Sequence, residues 1–345
     1  MKEKRLLIVA CMVLSLMAGY VGGAAAAPSS LPPVLMFTTH AMGTKYYAMA
    51  SGLGKVLSTH LKTEVKVMPT TGPGEWMPMI RSGEIDLGIA NDWDSQHGFL
   101  AKGPYEKPLQ GKGSRVRLLT SGAPNIMSVL VSETSGIKKY QDIKGKRFIG
   151  HYTGSAGQTA QALAALANFG LTEKDVKMVS VPGVGPAIRA LIEGRADASG
   201  TGALGMGLVA ELDASKGARF ISYDTSPEAI KRFQAVYPAK PVRVEPGPGK
   251  IGVKEPTTMV EYDTYMLSRA NLPEDAAYEL VKVLWEYNKE LWPIHVGLKS
   301  WTTDKFVIEK PLVPYHPGAI KFYKEKGVWN AKMDEIQKNL LAMEK

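Results

Sequence analysis

Cysteine is nearly missing from this 345-residue chain: Cys11 is the only one, and it lies inside an N-terminal apolar run. A disulfide, a thiolate metal site and a thiol nucleophile in the body of the chain are therefore excluded. Histidine is sparse too, with six residues and no H-x-x-x-H or H-E-x-x-H spacing, so metal catalysis has no support and no metal site is expected. The chain carries a net charge of +9 but no run of five or more like charges, which argues for solvated faces and against a nucleic-acid groove. After the first two dozen residues no apolar stretch is long enough to span a bilayer. Hydrophobic content of 45% and charged content of 22% are those of a globular protein, and the length allows two or three domains.

The amino terminus reads as a secretory signal peptide. Lys2, Lys4 and Arg5 precede the apolar run from Leu6 to Val21, and Ala24-Ala25-Ala26-Ala27 supplies small residues for cleavage after 26 or 27. Three Lys/Arg and one Glu leave with it, so the mature chain keeps a charge of about +7. The expected location is the periplasm. Cys11 departs with the signal.

One stretch occurs twice. Phe37-Thr38-Thr39-His40-Ala41-Met42-Gly43-Thr44 is matched 111 residues later by Phe148-Ile149-Gly150-His151-Tyr152-Thr153-Gly154-Ser155. The same offset pairs Val65-Lys66 with Val176-Lys177, Gly72 and Gly74 with Gly183 and Gly185, and Gly83 and Asp86 with Gly194 and Asp197. The matches fall at turns and need no gap, which marks an internal repeat. Each copy reads as an apolar strand, a Gly-containing loop and an amphipathic helix. Gly43 and Gly154 permit a sharp turn, Thr44 and Ser155 are candidate N-caps, and a helix N-terminus favours an anion. Two such units facing each other make a cleft with an anion-friendly wall on each side. Alternatively, both are ordinary strand–helix turns.

Strands and helices alternate along the rest of the chain, which predicts an α/β protein with parallel sheets. The Gly122-Ala123-Pro124 break between two strands is read as a crossing between lobes. The Pro/Gly-rich segment 238–256 is read as an extended return, with one strand, 259–268, leading back. The expected organisation is a signal peptide at 1–27, a first lobe at 32–123 plus 257–329, a second lobe at 124–256, and a helical tail at 330–345 without an evident role. Residues 95–113 read as a loose segment.

Several constellations invite chemistry. Gly200-Thr201-Gly202-Ala203-Leu204-Gly205 matches the dinucleotide fingerprint, with Asp224 near the required distance. An exported protein has poor access to nicotinamide cofactors, and no cofactor is expected. Gly154-Ser155-Ala156-Gly157 lacks the first Gly of a nucleophile elbow, because Thr153 stands there. Neither supports an enzyme. Asn91-Asp92-Trp93 ends a buried strand, where open α/β sheets bind ligands. Asn91 can hydrogen-bond a carboxylate, Asp92 can receive an ammonium or cap the next segment, and Trp93 can wall a pocket or simply pack. Gly72 can offer backbone N–H groups or merely turn the chain. Of Tyr46 and Tyr47, one packs inward while the other can show its hydroxyl to the cleft. His40 and His151 are either ligand contacts or surface groups. Thr153 and Gln158, flanking Gly154-Ser155, complete the candidate set.

Taken together these residues resemble the TAXI family of solute receptors of tripartite ATP-independent periplasmic (TRAP) transporters, over about residues 34–329. Thr44-Lys45-Tyr46-Tyr47 is similar to the family's Gly-Gly-Thr-Tyr-Tyr segment, and Ser82-Gly83-Glu84-Ile85-Asp86-Leu87 to its Ser-Gly-Glu-x-Asp-Leu segment. Val131–Ile137 and Asp142–Arg147 resemble the start of its second lobe, and Leu312–Ala319 its proline-histidine signature. The resemblance implies a two-lobe periplasmic-binding-protein fold and a small carboxylate, glutamate-like in some members, bound between the lobes. It also implies a monomeric receptor that delivers its solute to small and large membrane subunits, separate or fused. By motif, Thr44, Tyr46, Tyr47, Asn91, Gly154 and Ser155 fall at pocket positions. Met42 in place of a Gly, Lys45 before the tyrosines, Asn91 in place of Gln, and Ala156-Gly157 depart from the pattern. The rivals are the same fold serving an ATP-driven importer or a sensor kinase, and an exported enzyme using the Gly200 loop or Ser155.

Overall fold

Two β-sheets divide the chain, and it passes between them twice. The computed structural model describes residues 31–122 and 124–344; the expected signal peptide lies outside them. The first sheet contains β1 (Val34–Thr39), β2 (Glu64–Pro69), β3 (Leu87–Asn91), β4 (Val116–Ser121) and β12 (Thr264–Arg269), in the order β2-β1-β3-β12-β4. The second contains β5 (Asn125–Ser132), β6 (Arg147–Tyr152), β7 (Lys177–Val181), β8 (Ala198–Ala203), β9 (Ala218–Ile221), β10 (Lys240–Val244) and β11 (Thr257–Tyr262). Its order is β10-β11-β5-β8-β6-β7, with β9 also on β5. Helices cover the sheets, so a central strand such as β3 (LGIAN) is buried along its whole length and reads as a near-continuous apolar run. With α/β units in both sheets and a double connection, this is the two-lobe fold expected from the sequence.

The repeat survives in the architecture. In the first lobe β1 pairs in parallel with β2 and β3; in the second, β6 pairs in parallel with β7 and β8. Helix α1 (Lys45–His60) and helix α4 (Ala156–Asn168) begin 111 residues apart, as do α2 (Pro73–Ser82) and α5 (Val184–Ile192). The repeated aspartates do the same work in both copies. The Met36 N–H donates to Asp86 Oδ2 (2.9 Å), and the equivalent Arg147 N–H donates to Asp197 Oδ2 (2.8 Å). Each carboxylate ties the first strand of its repeat copy to the turn before that copy's third strand.

The remaining helices are α3 (Asp92–Leu100), α6 (Gly207–Lys216), α7 (Pro227–Val236), α8 (Glu274–Glu286), α9 (Pro317–Glu325) and α10 (Ala331–Ala342). Among the described residues no helix is long and apolar enough to cross a membrane.

Three local expectations are corrected. Residues 95–100 are helical rather than loose, part of a helix from Asp92: Asn91 Oδ1 accepts the Asp94 N–H (2.6 Å), an N-cap that starts the helix despite its weak apolar periodicity. The strand expected at 259–268 is two strands in different sheets. The chain crosses back at Asp263, so Thr257–Tyr262 pairs with β10 and β5 in the second lobe. The C-terminal helix is also docked. Gln337 accepts the Tyr315 N–H (2.8 Å) and donates to the Tyr315 carbonyl (2.9 Å), while Arg117 forms a two-pronged pair with Glu344 (2.9 and 2.7 Å).

Candidate functional site

The first unit of each repeat brings its loop and helix start to the space between the sheets. Helix α1 begins at Thr44, whose hydroxyl accepts the Tyr47 N–H (3.2 Å) and donates to the Ala41 carbonyl (2.7 Å). Gly43 makes the preceding turn at φ +83°, and Leu208 of the second lobe packs against it closely enough that a Cβ would sit 2.9 Å from Leu208 Cγ. Beyond this turn lies a cavity of about 30 Å³ between the lobes. From the first lobe His40, Thr44, Lys45 and Tyr46 line it. From the second come Asn125 of β5, Gln158 and Gln161 of α4, Thr201 of β8 and Tyr262 of β11, with Val184 and Met206 supplying apolar surface.

The cavity is lined by polar atoms without partners. Both ring nitrogens of His40, Asn125 Oδ1 and Gln158 Oε1 are buried and make no hydrogen bond within the protein, while the Tyr46 hydroxyl and Gln161 approach Tyr262 and the Thr201 hydroxyl approaches Tyr152. Leaving one such group unpaired costs on the order of 1–3 kcal/mol, and native structures pair nearly all of them. Four on one cavity, from both lobes, mark a place built to receive polar atoms from elsewhere. Lys45, only 7% exposed, is the sole lysine among them, and burial lowers its pKa to about 8. Burial also holds His40 neutral, its pKa lowered to about 4, and its ring stacks on Tyr46 at 4.6 Å. The Lys45 side chain runs to Gly297, beside His295, at the edge of this lining. A volume of about 30 Å³ admits roughly two waters, so a larger solute enters with the lobes apart.

The second helix N-terminus is already occupied, by the protein itself. Asp94 of α3 reaches across the cleft, and the Gly157 N–H at the start of α4 donates to its Oδ1 (2.8 Å). Tyr105 O–H donates to the same oxygen (2.7 Å) and Asn91 Nδ2 to Oδ2 (2.6 Å). The Ser155 hydroxyl lies 3.5 Å from Oδ2 and makes no cap bond to its own helix. Next to this contact the Gly74 N–H donates to the Gly154 carbonyl (3.1 Å), and a Cβ on Gly72 would sit 2.7 Å from that oxygen.

Of the sequence-derived candidates, the structure brings His40, Thr44, Tyr46 and Gln158 to the cavity. Gly43, Gly72, Gly154 and Ser155 lie in the close contacts between lobes, and Asn91 serves Asp94. Trp93 stacks on His97 (3.7 Å) and, with Thr153, lines a separate, mostly apolar groove of about 470 Å³. Tyr47 is a partly exposed residue outside the cavity lining, and His151 pairs with Glu173 at the surface (2.6 Å). Asp92 lies at the hinge, in a pocket of about 230 Å³ with Asp263, Glu261, Lys240 and Lys305. Burial first, then the Asp263 charge, raises its pKa to about 7. The sequence reading missed Lys45, Asn125, Gln161, Thr201 and Tyr262. The one signal for any of them was the break in pattern at Lys45, a charge where the helix turns inward. The Gly200–Gly205 stretch is no dinucleotide loop: Gly200 and Gly202 sit inside β8, packed against Ala162 and Leu130, and of the three glycines only Gly205 lies in the turn before α6.

Two α/β lobes with a polar cavity at their interface are the fold of periplasmic binding proteins. The chain belongs to the NMT1-like family, whose profile matches residues 37–327. Its fold is similar to that of PhnD1 from Prochlorococcus marinus, solved with methylphosphonate (TM-score 0.52, 13% identity, 87% of this chain and 100% of that one). It is similar as well to a binding protein component of an ABC phosphonate transporter from Pseudomonas aeruginosa (TM-score 0.52, 12% identity, 90% and 97% of the chains). A structure described as a periplasmic transporter matches with TM-score 0.56 and 15% identity over 92% and 98% of the chains. At these identities the likeness carries the fold.

Proposed function

We propose that the protein is a non-catalytic periplasmic solute receptor that captures a small organic anion between its lobes and delivers it to membrane transport subunits. The observation that carries this reading is the convergence of unpaired polar atoms from both lobes, with Lys45, on one cavity at their interface. A solute satisfying groups on both walls stabilises the closed arrangement over the open one, and a membrane partner reads the closed form. The transporter is of the TRAP type, on the strength of the TAXI-like segments at 44–47, 82–87 and 312–319. A second reading, an ABC importer, is favoured by the fold relative from an ABC phosphonate system. Native mass spectrometry of the mature protein purified from periplasm tests the receptor reading. One intact small anion, released on unfolding and raising the melting temperature when added back, is expected. An empty protein that no anion stabilises, or a bound compound chemically altered on incubation, overturns it. Uptake in proteoliposomes then separates the transporter types: an ion gradient drives it in one case, ATP in the other.

A further inference from the structure

We propose that the apolar groove beside the Asp94 contact is a second binding site, which takes a small neutral aromatic compound. This goes beyond the receptor reading and does not depend on which solute the polar cavity holds. The groove has a volume of about 470 Å³, within the roughly 300–1,000 Å³ of pockets that hold small molecules. Trp93, Tyr105 and Pro108 wall it from the first lobe, and Ala156, Ala160 and Leu163 of helix α4 from the second; none of its lining residues is charged. Helix α4 thus divides two spaces of opposite chemistry. Its Gln158 and Gln161 line the polar cavity, while its alanines and Leu163 line the groove.

The hydroxyls in the buried and half-buried walls of the groove are already spent. Tyr105 donates to Asp94 (2.7 Å), Tyr152 pairs with Ser199 (2.8 Å), and the Thr159 hydroxyl accepts the Tyr152 N–H (2.8 Å). What the walls still offer is ring, proline and methyl surface. A polar compound entering there gives up hydrogen bonds to water and finds few in return, whereas an aromatic ring gives up only its exposure to water. That apolar surface is unfilled: Trp93, Ala156, Ala160 and Leu163 are only half-buried, and Val236 at the rim is 38% exposed. The groove is also continuous with the contact between the lobes. Tyr105 is a partner of Asp94, Ala156 precedes Gly157, and Gly74 in the groove wall donates to the Gly154 carbonyl (3.1 Å). A ring seated there touches both lobes and so adds to the closed arrangement.

The test adds indole, or uracil as a ring rich in polar atoms, to the full mature protein in scanning calorimetry and calorimetric titration. Indole is expected to bind saturably, one per chain, and to raise the melting temperature; uracil is expected to do neither. Ala160→Trp fills the groove from its own wall and is expected to abolish the indole shift, with its fold checked by circular dichroism. Val236→Asp changes only the exposed rim and is expected to weaken indole at least about threefold. No indole binding, an equal shift with uracil, or an indole shift kept in both variants overturns the proposal. The co-purified anion is followed in the same samples, so failure of this site and failure of the receptor reading are told apart.

Discussion

Asp94 Oδ1 lies 2.8 Å from the Gly157 backbone nitrogen, so a side chain of one lobe caps the helix of the other. The helix N-terminus that looks from the sequence like half of an anion site therefore serves as a latch between lobes. Gly157 is required by this approach, since a Cβ there would run into the Asp94 carboxylate. Gly157→Ala is expected to hold the lobes apart and to cost about 1–3 kcal/mol, the usual price of overpacking. Small-angle X-ray scattering should show a larger radius of gyration for the variant without solute. Gly185→Ala is the control: its Cβ would meet Ala41 Cβ at 3.6 Å, ordinary van der Waals contact, and no change is expected.

The carboxylate itself can be tested separately. Asp94→Ala leaves the Gly157 N–H, the Tyr105 hydroxyl and the Asn91 amide without their shared acceptor. Unpaired buried donors and a lost charged acceptor are expected to cost about 3 kcal/mol in urea unfolding. If stability is unchanged, Asp94 does not hold the lobes.

At the hinge, Asp92 shares a pocket with Asp263, Glu261, Lys240 and Lys305. Its pKa rises from 3.8 to about 7, chiefly through burial. An acid whose pKa is raised on folding binds its proton more tightly in the folded state. Its contribution is therefore most favourable below pH 3.8 and is lost as the pH climbs to about 7, staying flat above. Asp92→Asn is expected to be more stable than the wild type by about 1–2 kcal/mol at pH 8, allowing for partial exposure, and indistinguishable near pH 4. Thermal unfolding at the two pH values checks this; a constant difference would place the effect outside the ionisation.

Lys45 gives a second pH dependence, of opposite origin. Burial lowers its pKa to about 8, and the groups around it include His40, Tyr46 and His295. A bound anion favours the charged amine and so raises that pKa again. Above pH 8, binding must take up a proton, and affinity is expected to fall about tenfold per pH unit; below pH 7 it should be flat. Titration of the co-purified anion from pH 6.5 to 9.5, in buffers of different ionisation enthalpy, reads both the slope and the proton uptake. A flat profile would remove Lys45 from the binding step.

The duplicated framework is legible in the sequence because its matches fall where helices start. Lys45 and Ala156, and Pro73 and Val184, keep one offset through strand, loop and helix. What the sequence hides is the facing of single side chains. Gln161 and Thr201 lie mid-helix and mid-strand in segments that read as packing, and only the approach of the first lobe turns them into cavity walls. Asp263 is hidden for another reason. The run Met259–Ser268 alternates without Gly or Pro, so nothing local marks the change of sheet. Helix α3 escapes because its start depends on the Asn91 cap and its hold on Asp94 contacts that come from other elements.

The C-terminal helix has no apolar stripe strong enough to announce a role, yet its contacts give it one. Gln337 satisfies both the N–H and the carbonyl of Tyr315, in the segment that follows the long irregular stretch of the first lobe, and Met333 and Leu340 are buried beneath it. Arg117 on β4, only 8% exposed, is neutralised by Glu344 at the far end. All these partners lie in the first lobe, away from the cavity. Gln337→Ala would strand two buried backbone groups and is expected to cost about 2 kcal/mol. Removal of residues 331–345 is expected to cost more, because it also uncovers Arg117 and the apolar contacts. Neither change should alter solute affinity once stability is restored by working at lower temperature. Urea unfolding and calorimetric titration of the same variants separate the two effects: lost stability with unchanged affinity identifies the helix as a brace for the first lobe, and lost affinity would tie it to the site.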